Sequence, residues 1–248
     1  PNMSTNKERM KVLDVLPSAY WVEGGSQGIK KTTKQAYKDL YVYAEKIACI
    51  VPIAIDDLED SNYDFWGNVR PRVEEAMYNA IDSAILFGKN KPSSFPNGIV
   101  DLAFEKGKQV VQGQNETLYS VLDRAMANVE AAGKNVDGLV GGLGTKSAFR
   151  KLQDTTGQLI VGSEINDLPK YIVDNGSWDN SKAHFIVGSF KQAVYSIRKE
   201  LSFKLLTEAT IKDLVTGEEI YLAQQNMVAL LCEMRLGWNI PLPTDIAT

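Results

Sequence analysis

The chain has 248 residues, 27 Lys and Arg against 31 Asp and Glu, and a net charge of −4; 44% of it is hydrophobic and 23% charged. These values exclude a disordered, collagen-like or disulfide-rich chain. The acidic balance also argues against a protein that coats duplex nucleic acid by neutralising phosphates. A single histidine, His184, leaves no material for a His-rich zinc site, and only one residue around which a Ser-His-Asp triad could be built. Cys49 and Cys232 lie far apart in the apolar runs IACIVP and LLCEM, and read as small buried hydrophobes rather than a disulfide or metal pair. No stretch approaches the roughly 18 apolar residues of a membrane span, and the start, PNMSTNKERM, lacks the apolar core of a signal peptide.

Residues 11–55 are strand-rich. The runs AYWV at 19–22 and LYVY at 40–43 are aromatic and β-branched, which suits a pleated, half-buried surface. Between them stand the Gly-rich GGSQG and then Lys30, Lys31 and Lys34, so the segment reads as a long β-hairpin with a polar return arm. An arm with so little apolar content has no core of its own near its tip; it reads either as a mobile surface hairpin or as an arm whose missing partner is another subunit.

A helix is predicted from 61 to 88, roughly 42 Å long at 1.5 Å per residue. Asp60 or Ser61 suits its N-cap, and Asp56, Asp57, Glu59 and Asp60 suit its positive end. Trp66, Val69, Val73, Met77, Ala80 and Ala84 recur at steps of three and four, and Gly88 stops the helix. Pro71 inside the span removes a backbone donor, so a bend is expected there. After the connector KNKPSSFPNG, residues 114–132 form a second helix with Leu118, Val121, Leu122, Ala125, Met126 and Val129 on one face and Gly133 at its end. Leu139 and Val140 make a short strand, Thr145 caps a helix through Phe149 and Leu152 to Gly157, and residues 184–188 make another strand. The apolar run 226–236 suits a strand or helix buried in the core. The order is hairpin, long helix, α/β insert and returning segment, an α+β layout.

No enzyme motif stands out. The glycine pieces GGSQG and GGLGTK lack the full spacing of a phosphate loop or dinucleotide fingerprint. His184 has no acidic partner specified by sequence, and the acidic cluster at 56–60 is explained as a solvated helix start. No catalytic residue, cofactor or metal is expected.

Several stretches together resemble the major capsid proteins of tailed bacteriophages with the HK97-type fold. They are AEKIACIVPIAIDDLEDS at 44–61 and the helix ending AILFGKNKPSSFPNGI; HFIVGSFKQAVYSIRKELSFKLLTE at 184–208; and QQNMVALLCEMRLGWNIPLPTDIA at 224–247, with LDVLPSAYWVEGG and GIKKTTK upstream. They occur in the family's order and cover well over a third of the chain. The resemblance implies an extended loop over residues 1–43, a peripheral domain with a spine helix over 44–104, an axial α/β domain over 105–212, and return strands of the peripheral domain over 213–248. Few residues precede the hairpin, so an N-terminal arm is expected to be missing or shortened.

The implied function is a self-assembling subunit of an icosahedral phage or prophage shell that encloses DNA without specific recognition, made in the bacterial cytoplasm and resident in the virion. Implied partners are other copies in pentamers and hexamers, a scaffolding segment or protein, a portal and a maturation protease, with no membrane. Some family members join subunits covalently, a loop Lys attacking an Asn side chain with a Glu assisting. The matching candidates are Lys38, with Lys34 as alternative, Asn226 and Glu233. The other reading of these residues is structural: Asn226 caps or pairs the strand edge, Glu233 pairs with Arg235 or another cation, and the lysines are solvated. An encapsulin-like nanocompartment shell and an unrelated α+β binding module are the alternative functions.

Overall fold

The computed structural model describes residues 3–15, 19, 21, 32–33, 35–59, 65–114, 116–151, 167–214, 216–241 and 246–247. Strands β1 (Lys7–Val15) and β2 (Ala36–Tyr43) pair antiparallel from Lys7↔Tyr43 to Val15↔Ala36, with a bulge between Leu13 and Val15. The outgoing strand therefore lies before residues 19–22, of which Ala19 and Trp21 are outside any strand. GGSQG, the rest of 19–22 and Lys34 fall outside the described residues.

Strand β3 (Glu45–Ala54) follows, then the one-turn-and-a-half helix α1 (Ile55–Glu59) and the spine helix α2 (Phe65–Phe87). At 23 residues α2 is about 34 Å long, and Asp56, Asp57 and Glu59 belong to the separate helix α1. Residues 60–64, with the expected caps Asp60 and Ser61, lie outside the described residues. Pro71 sits within α2. Of the expected apolar stripe, Val73, Met77 and Ala84 are buried and Trp66 and Val69 partly so, whereas Ala80 is exposed; Leu86 and Phe87 at the end of the helix are buried as well.

Helix α2 lies on a three-stranded antiparallel sheet of order β3, β10 (Met227–Asn239), β7 (Val194–Leu206). Val73, Met77, Cys232, Met234, Leu236 and Trp238 share one core, with Ile47, Cys49 and Val51 packed against it. The apolar run at 226–236 is thus a central strand with a partner on each side, which explains its near-continuous burial. Cys49 and Cys232, distant in sequence, are directly opposite each other in the β3–β10 ladder. Both are free thiols, Cys232 buried and Cys49 partly so.

A short helix α3 (Ile99–Glu105) leads to the second layer. Helix α4 (Leu118–Glu130) starts at Thr117, whose hydroxyl accepts the Ser120 N–H, and ends before Gly133 at φ +78°. Its face Val121, Leu122, Ala125 and Val129 packs on Leu139, Phe185 and Val187. Those residues belong to a mixed sheet of β4 (Gly138–Gly142), β5 (Lys170–Val173), β6 (Phe185–Gly188) and β11 (Ile246–Ala247), ordered β11-β6-β4-β5. Helix α5 (Leu143–Arg150) begins directly after β4, so Thr145 is inside it and does not cap it; its hydroxyl instead donates to the His184 carbonyl at 2.9 Å. Leu152 and Gly157 fall outside the described residues. A small ladder of β8 (Thr210–Lys212) and β9 (Glu219–Tyr221) precedes β10.

The two layers meet at the end of α2. The Phe87 and Trp178 rings are edge-on at 5.2 Å, and the Lys182 ammonium donates to the Phe87 carbonyl at 3.2 Å. A cation there complements the negative end of the helix. Asn79 donates to the Asn175 carbonyl at 2.9 Å, and Asn175 donates to Asp82 at 2.8 Å. Burial raises the Asp82 pKa, an effect opposed by the Asn175 hydrogen bond. Gly88 leaves the helix at φ +66°, and Gly98 packs so tightly against the Phe87–Gly88 backbone that a Cβ there collides with it. Gly98→Ala is expected to destabilise the subunit by about 1–3 kcal/mol through overpacking, read as a lower thermal midpoint.

Candidate functional site

The hairpin is a two-stranded ribbon, and such ribbons are marginal unless a third element covers them. Directly opposed residues of an antiparallel pair share a face, so Lys7, Arg9, Lys11, Tyr37, Asp39, Tyr41 and Tyr43 stand on one side of the ribbon. Tyr37 is 58% exposed, and Tyr41 and Tyr43 are also exposed. The Lys7 ammonium lies 4.0 Å from the Tyr41 ring centre and 5.3 Å from that of Tyr43, while Arg9 pairs with Asp39 at 3.7 Å. The opposite side carries Glu8, Met10, Val12, Lys38, Leu40 and Val42.

Among the described residues, the ribbon is anchored at its base. Val42 is 1% exposed, and Gly237 of β10 lets the Tyr43 carbonyl and Val42 approach where a Cβ would collide. The Asn239 amide donates to the Tyr41 carbonyl at 3.1 Å, the Ala44 N–H to Asn6 at 2.9 Å, and the Met3 N–H to Ile197 of β7 at 3.1 Å. From Ala36 to Tyr41 no residue of β2 is buried.

Lys38 is exposed on β2 opposite Val12. Asn226 stands at the entry to β10 at φ +52°, a left-handed conformation that asparagine tolerates better than most residues. Its side-chain amide donates to Asp56 at 2.8 Å, and its carbonyl accepts the Ile55 N–H at 2.9 Å. Glu233 lies seven residues on, about 23 Å along the strand. It accepts from Lys199 at 2.7 Å and pairs with Lys46 at 3.2 Å, two lysines rather than Arg235. A single chain therefore does not bring Lys38, Asn226 and Glu233 together.

The Lys199 hydrogen bond first, and that of Lys46 next, hold the Glu233 carboxyl at about 2. A carboxylate that acidic is a poor proton acceptor at neutral pH. Lys46 and Lys199 were not identifiable from sequence, because only the β3–β10–β7 pairing places them beside Glu233.

The remaining sequence candidates have structural explanations. Gly141 and Gly142 of GGLGTK are needed for close packing: a Cβ on either would stand 2.5 Å from the Thr145 hydroxyl or the Trp178 ring, respectively. The His184 side chain is exposed and its carbonyl serves Thr145. Asp56 is engaged by Asn226. Among the described residues no cluster of three or more His, Cys, Asp or Glu has metal-site geometry, and no helix is long and apolar enough to cross a membrane.

The lowered Glu233 pKa has a signed consequence. The stabilisation it contributes is present above the ordinary 4.5 and is lost as pH falls towards about 2. The stability difference between the native chain and Glu233→Gln, measured by denaturant unfolding, is expected to be present at neutral pH and to shrink through that window.

Residues 2–247 match the phage capsid family. The major capsid protein of Staphylococcus phage 80alpha is 28% identical over 229 residues, spanning 90% of this chain and 68% of that protein. A solved chain from Microbacterium phage Oxtober96 superposes with a TM-score of 0.87 at 31% identity, covering 100% of this chain and 86% of that one. One from Mycobacterium phage Bobi gives 0.83 at 26%, covering 97% and 81%. With the anchored but uncovered hairpin, the spine helix on its sheet and the second α/β layer, these similarities establish that the chain belongs to the phage capsid family and has the HK97-type fold.

Proposed function

We propose that this chain is the major structural subunit of a phage or prophage shell, self-assembled through the hairpin and enclosing packaged DNA without reading its sequence. The observation that carries this reading is the ribbon β1–β2, anchored at Val42 and uncovered from Ala36 to Tyr41. Its uncovered faces gain apolar burial when a second copy lies on them. We assign residues 1–43 to the extended loop, 44–104 and 213–248 to the peripheral domain and 105–212 to the axial domain. A scaffolding segment or protein, a portal and a maturation protease complete the system, with synthesis in the host cytoplasm. Family membership favours this reading over an encapsulin-like compartment or a monomeric binding module.

The finer reading is a covalent joint. The Lys38 amine attacks the Asn226 side-chain carbonyl of another copy, ammonia leaves, and an isopeptide bond remains. Glu233, from whichever copy supplies it, takes the amine proton and delivers it to the departing Asn226 nitrogen, which leaves as ammonia. Assembly must then desolvate Lys38 and pull Lys46 and Lys199 away from Glu233, raising its affinity for a proton. The exposure of Lys38 and Asn226 leaves both side chains available to a neighbour.

Full-length protein is expected to form uniform shells in negative-stain images. Tyr41→Asp, which places a charge on the exposed hairpin face, is expected to leave the subunit melt nearly unchanged and abolish shells; shells of normal yield from that variant contradict the role of the hairpin. Denaturing gels of native particles are expected to show a covalent ladder that Lys38→Arg removes. A single subunit band from intact particles removes the covalent joint and leaves the shell reading standing.

A further inference from the structure

The two cysteines sit in a geometry that the established fold does not use. The β3–β10 register runs unbroken from Met227↔Ala54 to Leu236↔Glu45 and pairs Cys232 with Cys49. The Ile55 N–H donates to the Asn226 carbonyl, which makes that adjoining pair a hydrogen-bonded one. Hydrogen-bonded and non-hydrogen-bonded pairs alternate along an antiparallel ladder. Counting two residues at a time from 55/226 through 53/228 and 51/230 puts 49/232 in the hydrogen-bonded class. Cα atoms of such a pair stand about 5.5 Å apart, within the roughly 4.4–6.8 Å that a disulfide spans. Their Cβ atoms, at about 5.5 Å, lie beyond the roughly 4.5 Å limit of a relaxed disulfide, so closure must draw the two strands together locally and gives a strained, readily reduced bond.

Opposed residues project to one face, and both cysteines belong to the core beneath α2. Burial, with smaller contributions from Cys49 and Glu74, raises the Cys232 thiol pKa. Cys49 is the partly exposed member of the pair.

We propose that Cys49 and Cys232 are a redox-responsive pair that closes to an intrachain disulfide on exchange with a small-molecule disulfide such as oxidised glutathione. The Cys49 thiolate attacks one sulfur of the small disulfide, forming a mixed disulfide and expelling one small thiol. The Cys232 thiolate then attacks Cys49 Sγ, forming the protein S–S bond and expelling the second small thiol. The two protein thiol protons end on the two released thiols, and the protein pair is oxidised as the reagent is reduced. In a reducing cytoplasm the thiols stay free; in an oxidising medium the bond staples the strand after the hairpin to the closing strand. The inference concerns the subunit and does not depend on shell closure.

The test treats native full-length protein with oxidised glutathione in mildly alkaline buffer, quenches with acid, then denatures and alkylates it. Expected results are loss of both alkylatable thiols, a subunit mass lower by two hydrogens, and a nonreduced peptide joining the Cys49 and Cys232 segments. The thermal midpoint should shift on oxidation, loop closure raising it and strain lowering it, and return on reduction. Cys232→Ser should retain glutathione on Cys49, whereas Cys49→Ser should acquire none. Two alkylatable thiols surviving in the native protein, while the denatured chain oxidises under the same conditions, would overturn the proposal. So would a mixed disulfide that stays on Cys49 in the native sequence, or bridges found only between chains.

Discussion

The subunit is organised around the two-sided pairing of β10. A strand with ladders on both edges and a helix across one face satisfies its backbone groups while burying Val228, Ala229, Leu230, Cys232, Met234, Leu236 and Trp238. Everything that matters for assembly is referenced to it. β3 carries the chain out of the hairpin, β7 returns it from the second layer, and Gly237 sets how closely the hairpin base can sit. The spine helix is fixed in turn by this sheet and by the Phe87, Trp178 and Lys182 contacts at its end.

That arrangement produces a packed body with an appendage whose stabilisation is incomplete. The hairpin has backbone hydrogen bonds, but among the described residues of its two strands no side chain except Val42 is buried. Its tyrosines offer large apolar area with few rotatable bonds to freeze, a feature suited to a subunit interface. Glu233 shows the complementary restraint. Held by Lys46 and Lys199, it is stable as an ion and a poor proton acceptor. Any covalent step is thereby tied to contact between copies.

The sequence revealed most where burial and periodicity coincide. Helix α4 appears with its apolar face and Gly133 stop in place, since its own core is local. β1 was not legible as the outgoing strand: KERMKVLDV alternates charge with apolar residues and owes its structure to pairing with β2 rather than to burial. Thr145 looked like a cap because threonine precedes a helical pattern, yet the helix starts two residues earlier and the hydroxyl serves His184. Lys38, Asn226 and Glu233 could be singled out only by resemblance. The lysines beside Glu233 and the opposition of the two cysteines depend on strand register, which short apolar runs do not fix before the partner strand is known.

The central claim is that the hairpin lacks cover in a lone subunit and gains it from a neighbour. Amide hydrogen exchange, resolved to β2, tests it most directly by comparing unassembled subunit with intact particles. The account predicts fast exchange in the Tyr37–Leu40 stretch of the free subunit, slower exchange at the Val42 base, and strong protection throughout β2 in particles. Equal protection of 37–40 in both states would contradict it, because the ribbon would then need no second copy.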